Sequence, residues 1–119
     1  MEKFNIEQFN SNQKSGQYSY QINDTIITQW KSGNDTYYVQ TLEPPLPDMF
    51  ITKSIFFNIG VLQIKGKVFK KGEFQKGIWQ YYDEHGKLIK EVNYDSAYKF
   101  SWDDIILLLK KKIFLGTNW

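Results

Sequence analysis

The chain contains no cysteine, no arginine and a single histidine, and its three prolines fall within four residues. Without cysteine there are no disulfides and no thiolate metal sites. His85 alone cannot build a multi-histidine metal centre. All 15 basic residues are lysine. The planar fork of arginine is the usual reader of guanine edges and a favoured phosphate clamp. Its absence argues against sequence-specific nucleic-acid binding, although codon bias in an AT-rich genome has the same effect. A net charge of +2 describes an ordinary solvated surface. The first residues, Met1 to Asn5, carry no basic region followed by an apolar run, so they do not read as a secretory signal. The longest apolar run, Ile105 to Leu109, is far too short to span a membrane. These readings lead to the expectation of a soluble, cytoplasmic protein with no membrane partner. No metal cluster, nucleophile elbow or phosphate loop is present, so no enzymatic activity and no cofactor are expected.

What the chain has in excess is aromatic residues, 18% of 119. Together with Ile and Thr they favour sheet, and the length fits one domain. Residues 1–16 form a polar N-terminal arm holding Phe4, Ile6 and Phe9, with Phe4 to Phe9 either a short helical turn or an arm over the sheet. Tyr18, Tyr20 and Ile22 alternate with polar residues, the period of a half-buried strand. Asn23-Asp24 makes a turn, and Thr25 to Lys31 and Thr36 to Leu42 form a hairpin around Gly33. These first strands span 17–42. Pro44, Pro45 and Pro47 remove ladder donors and read as a rigid crossover between two parts of one sheet. Strands at Met49 to Phe57 and Val61 to Lys70 follow. Lys65, Lys67, Lys70 and Lys71 would protect an exposed edge. Lys71 to Gly77 reads as a loop before a last hairpin of Ile78 to Tyr82 and Lys87 to Tyr94. Ser101 then caps a helix over 101–113 with an acidic residue three positions on. Its residues Trp102, Ile105, Ile106, Leu109 and Ile113 form one apolar face. The predicted architecture is a single α+β domain: an antiparallel, twisted meander of six or seven strands with the C-terminal helix packed on one face.

The stretch 49–94 repeats itself. Setting Gly60 on Gly86, 26 residues later, places Phe56 on Tyr82 and Leu62 on Leu88. Each copy is an aromatic strand end, a polar turn closed by glycine, and a returning strand. In the second copy Gly77, Trp79, Tyr82, Gly86, Leu88 and Glu91 fall on a G-x-W-x-x-Y-x-x-x-G-x-L-x-x-E spacing that resembles the MORN-variant repeat. Residues 55–72 are similar but lack the tryptophan and the glutamate. The resemblance covers about a third of the chain. It implies two MORN-like hairpins and, in bacteria, a small soluble protein that acts as an antitoxin or as the immunity protein of a secreted toxin.

Candidate binding residues follow from chemistry. The aromatic set exceeds what one sheet face buries, and Tyr and Trp dominate interface hot spots. Trp79 is expected in the core because the repeat demands it. Tyr38 and Tyr81 are the aromatic residues expected to be exposed. Asp83 and Glu84 form an acidic hairpin tip, read either as turn chemistry or as a plug for a basic cleft, where charge complementarity selects partners. His85 reads as an exposed turn residue, since no motif offers it a nucleophile or water to activate. The expected function is steric inhibition of a cognate toxin or effector domain through Tyr38, Tyr81, Asp83 and Glu84. The alternative is a non-enzymatic nucleic-acid or scaffold-binding module that stacks bases on tyrosines among lysines.

Overall fold

The computed structural model describes residues 2–32, 34, 37–71 and 74–95. Among these residues one helix, α1 (Ile6–Asn12), precedes seven strands: β1 (Gln17–Ile22), β2 (Thr25–Ser32), β3 (Tyr37–Glu43), β4 (Phe50–Phe57), β5 (Leu62–Phe69), β6 (Gln75–Tyr82) and β7 (Leu88–Asn93). They form one sheet in chain order, and every neighbouring pair is antiparallel. The sheet-dominated meander expected from the sequence is therefore present. The predicted helix over 101–113 lies outside the described residues.

Short turns enforce the chain-order topology. Asn23 and Asp24 both take positive φ, 47° and 68°, the two-residue turn whose twist matches that of its flanking strands. The proline segment joins β3 to its direct neighbour β4. It is a hairpin connection, not the crossover the prolines suggest, and it holds itself by Asp48 N–H to the Pro45 carbonyl at 3.2 Å. Nor do Lys65 and Lys67 guard an edge. Their strand, β5, lies between β4 and β6. The predicted loop to Gly77 is also shorter than expected, because β6 begins at Gln75. Gly77 adopts φ 70° within the strand. Its N–H donates to the Asp95 carboxylate at 2.9 Å and its carbonyl accepts from Tyr94 N–H at 3.0 Å. With both backbone groups held, the strand runs through the irregularity instead of ending at it.

The sequence repeat is a repeat of geometry. In the β4–β5 turn Phe57 N–H bonds the Val61 carbonyl and Gly60 N–H bonds the Phe57 carbonyl. In the β6–β7 turn Asp83 N–H bonds the Lys87 carbonyl and Gly86 N–H bonds the Asp83 carbonyl. Gly60 and Gly86 take φ 90° and 85°, a conformation that suits glycine. The bulges coincide too. Ile55 faces Ile64 while Phe56 faces Leu62, and Tyr81 faces Lys90 while Tyr82 faces Leu88. Each of these positions maps onto its counterpart 26 residues on.

Alternation divides the side chains between two faces. The first face carries the main cluster: Phe4, Phe9, Tyr38, Phe56 and Leu62 are buried together, with Ile6, Tyr18 and Tyr82 packed against them. The arm supplies the cover, so both sequence readings of Phe4 to Phe9 hold in succession. Residues 2–4 run as an extended strap along the β4–β5 turn, with Phe4 N–H to the Gly60 carbonyl at 2.8 Å and Leu62 N–H to the Glu2 carbonyl at 3.3 Å. Asn5 then caps α1 through its side chain, which accepts from Gln8 N–H. Phe9 is the one buried residue of the helix. The second face shows half-buried apolar side chains, Trp30, Ile51, Ile55, Ile64 and Val68, beside buried Trp79, around a groove of about 410 Å³.

Candidate functional site

The β6–β7 hairpin gathers three of the four residues singled out by the sequence. Tyr81 stands on the second face beside Trp79. Its hydroxyl lies 3.5 Å from that of Tyr94, and the Lys90 ammonium sits 5.3 Å from its ring centre, within cation–π range. The hydrogen bond with Tyr94, then partial burial, then the neighbouring phenol hold the Tyr81 hydroxyl above the usual phenol range. Tyr81 is half-buried, and its hydroxyl stays neutral at physiological pH. Tyr82 points to the opposite face and donates its hydroxyl to the Gln80 side-chain oxygen at 2.9 Å.

Asp83 is occupied by the turn. One of its oxygens accepts from both His85 N–H and Lys87 N–H at 2.9 Å. The bond from Lys87, opposed by slight desolvation and joined by that from His85, lowers the carboxyl below the ordinary aspartate value. The negative charge at the tip is thus fixed in place at neutral pH, and Glu84 beside it is exposed. Of the two readings of this doublet, turn chemistry describes Asp83, while Glu84 remains available to a partner. His85 is exposed, as expected for a turn residue. Tyr81, Tyr82, Asp83, Glu84, His85 and Ile89 surround a shallow groove of about 460 Å³ at this end of the sheet.

Tyr38 does not join them. The expectation that it is exposed is corrected: only 6% of its surface is accessible. Phe4 stacks on it at 4.5 Å and Phe9 meets it edge-on at 5.8 Å. Alternation assigns a strand residue to a face, but the cover on that face comes from the arm about thirty positions away in sequence.

Trp79 is in the core, 4% exposed, and its indole N–H donates to the Lys67 carbonyl at 3.1 Å. Sequence reasoning missed Ile89, which is 61% exposed at the rim of the groove. The signal was legible: Leu88 and Ile89 are adjacent, and neighbouring strand residues point to opposite faces. On this terminal strand both members are exposed, Leu88 by 42% and Ile89, in the bulge, by 61%. Among the described residues no cluster of three or more His, Cys, Asp or Glu side chains is placed to hold a metal ion, and no helix is long and apolar enough to cross a membrane.

The tip can offer a partner a half-buried aromatic ring, an exposed branched aliphatic and a carboxylate, on or beside a turn fixed by four hydrogen bonds. Compared with known proteins, the chain matches no family model, no curated protein and no solved structure.

Proposed function

We propose that this chain is a cytoplasmic, non-enzymatic inhibitor, an immunity or antitoxin-like protein that binds a cognate bacterial toxin or effector domain and blocks it sterically. The observation that carries the reading is the β6–β7 tip, where Tyr81, Glu84 and exposed Ile89 border one open groove on a rigid turn. Occlusion needs a complementary patch of roughly 800 Å² per partner and no chemistry. The MORN-variant resemblance supports the same reading, because the two hairpins that carry it share their turn bonds and bulges. The nucleic-acid alternative has less support. Lys65 pairs with Glu2 at 2.7 Å and Lys76 with Asp95 at 3.8 Å, which reduces the free positive charge on the first face.

The C-terminal helix belongs to the same reading. In it the apolar stripe of Trp102, Ile105, Ile106, Leu109 and Ile113 would cover one face of the sheet, and the second face, with half-buried Trp30, Ile55 and Ile64, offers the matching surface. Tyr94, which follows β7, packs edge-on against Trp79 on that face at 5.9 Å.

Co-expression with the toxin of the neighbouring gene tests the function. Rescue of growth is expected, with inhibition complete at one protein per toxin molecule. Glu84→Lys with Ile89→Asp should weaken rescue while thermal stability is kept, because both side chains are exposed. Rescue at a small fraction of the toxin concentration would point to turnover and overturn the reading.

A further inference from the structure

The two hairpins are alike in turn, bulge and register, but they differ in what lies on them. The first carries the chain's own strap. Lys3 pairs antiparallel with Val61, the Gly60 carbonyl and Leu62 N–H bond the strap backbone, Phe4 lies 5.4 Å from Phe56, and Glu2 pairs with Lys65. Moved on by 26 residues, these positions become Lys87, Gly86, Leu88, Tyr82 and Glu91. At the second hairpin no described residue bonds the Gly86 carbonyl. Lys87, Leu88 and Glu91 are exposed, Leu88 by 42%. A cavity of about 350 Å³ lies against Tyr82, Gly86 and Gln80, bounded on its far side by Glu2 and Leu62. Among the described residues β7 is the last strand of the sheet and none pairs with its outer edge, so the edge that would receive a strap continues along that strand.

We propose that the start of β7 is a docking edge for an extended segment of a protein partner, which pairs antiparallel at Lys87, seats an aromatic side chain on Tyr82 and places a basic side chain against Glu91. Strand addition to an open edge takes its affinity from main-chain bonds and its specificity from alternate side chains. The aromatic requirement comes from Phe4, which fills the equivalent seat. The basic requirement comes from charge: Glu2 of the strap meets Lys65, and the residue at the matching place is Glu91. The same comparison disfavours a second copy of this chain as the occupant, because its Glu2 would face Glu91. The proposal rests on the reading of the β6–β7 hairpin as the binding end, and not on the partner being a toxin.

Titration of the isotope-labelled full-length protein with the end-blocked peptide Lys-Lys-Phe-Asn-Ile tests it by amide chemical shifts. Millimolar binding is expected, with shifts at Lys87, Leu88 and Glu91. The native strap peptide Glu-Lys-Phe-Asn-Ile should bind about two- to five-fold more weakly, the effect of one exposed ion pair. Glu91→Lys should reverse that order. No shift at residues 86–88, shifts confined to Gly60 and Val61, or a preference unchanged by Glu91→Lys would each overturn the proposal. Toxin rescue that persists without peptide binding would overturn the docking edge and leave the proposed function standing.

Discussion

Trp79 and Gly66 form a pair that neither residue explains alone. A Cβ built on Gly66 would lie 2.1 to 2.4 Å from three atoms of the indole, closer than any side-chain contact tolerates. The glycine is therefore the floor on which Trp79 rests, and the indole N–H completes the fit through the Lys67 carbonyl. Trp79→Ala should cost about 3–5 kcal/mol, as large aromatic truncations do. Gly66→Ala should cost at least about 1–3 kcal/mol, because the indole must leave its rotamer. Urea denaturation of each variant checks both figures. The double variant should cost less than the two losses added, since removal of the indole also removes the clash. Full additivity would mean that the contact is not what selects glycine. Trp79 was legible in the sequence through the repeat pattern that its hairpin resembles. Gly66 was not, because its reason lies across a strand pair with an irregular register and its own backbone conformation gives no sign of it.

At the scale of the element, the hairpin turns were the most legible parts of the chain. Asn23-Asp24, Gly60 and Gly86 announce themselves because few residues accept positive φ, and all adopt it. The strand limits between them follow from alternation. What alternation does not give is the start of β6, where Gly77 looks like a loop residue until Tyr94 and Asp95 are seen to hold it. The β6–β7 turn also carries a pH dependence. The Asp83 carboxyl is lowered in the folded protein, chiefly by the Lys87 N–H. Its contribution to turn stability is therefore fully present above the ordinary aspartate value and is lost as pH falls through the lowered one. The amide shifts of Lys87 and His85 should report that titration together, with a midpoint below an ordinary aspartate. Asp83→Ala should abolish it and loosen the turn. A midpoint at or above the ordinary value would show that the two backbone bonds do not favour the charged form.

For the whole molecule, the order of strands was readable and the coverage of the faces was not. A meander follows when every connection is short, and the described connections are. Coverage depends on where distant segments fold back. The arm places Phe4 and Phe9 over Tyr38 and Phe56, which removes Tyr38 from the set of surface residues that composition alone suggests. The second face poses the same question in reverse. Trp30, Ile51, Ile55, Ile64 and Val68 line it half-buried, with Thr41, Lys53 and Gln75 among them, a largely apolar surface of the kind that soluble domains cover or use. Under the proposed reading the helix over 101–113 covers it. Ending the chain at Asp95 should then expose this face, and the product should bind a hydrophobic dye and self-associate during size-exclusion chromatography. Ile105→Asp in the full-length chain should move the protein in the same direction, because burying a carboxylate in an apolar stripe costs free energy. A truncated domain that remains monomeric, dye-free and cooperatively folded would mean that the sheet stands without its helix. The apolar stripe would then be free to serve the partner directly, as amphipathic helices do in hydrophobic grooves.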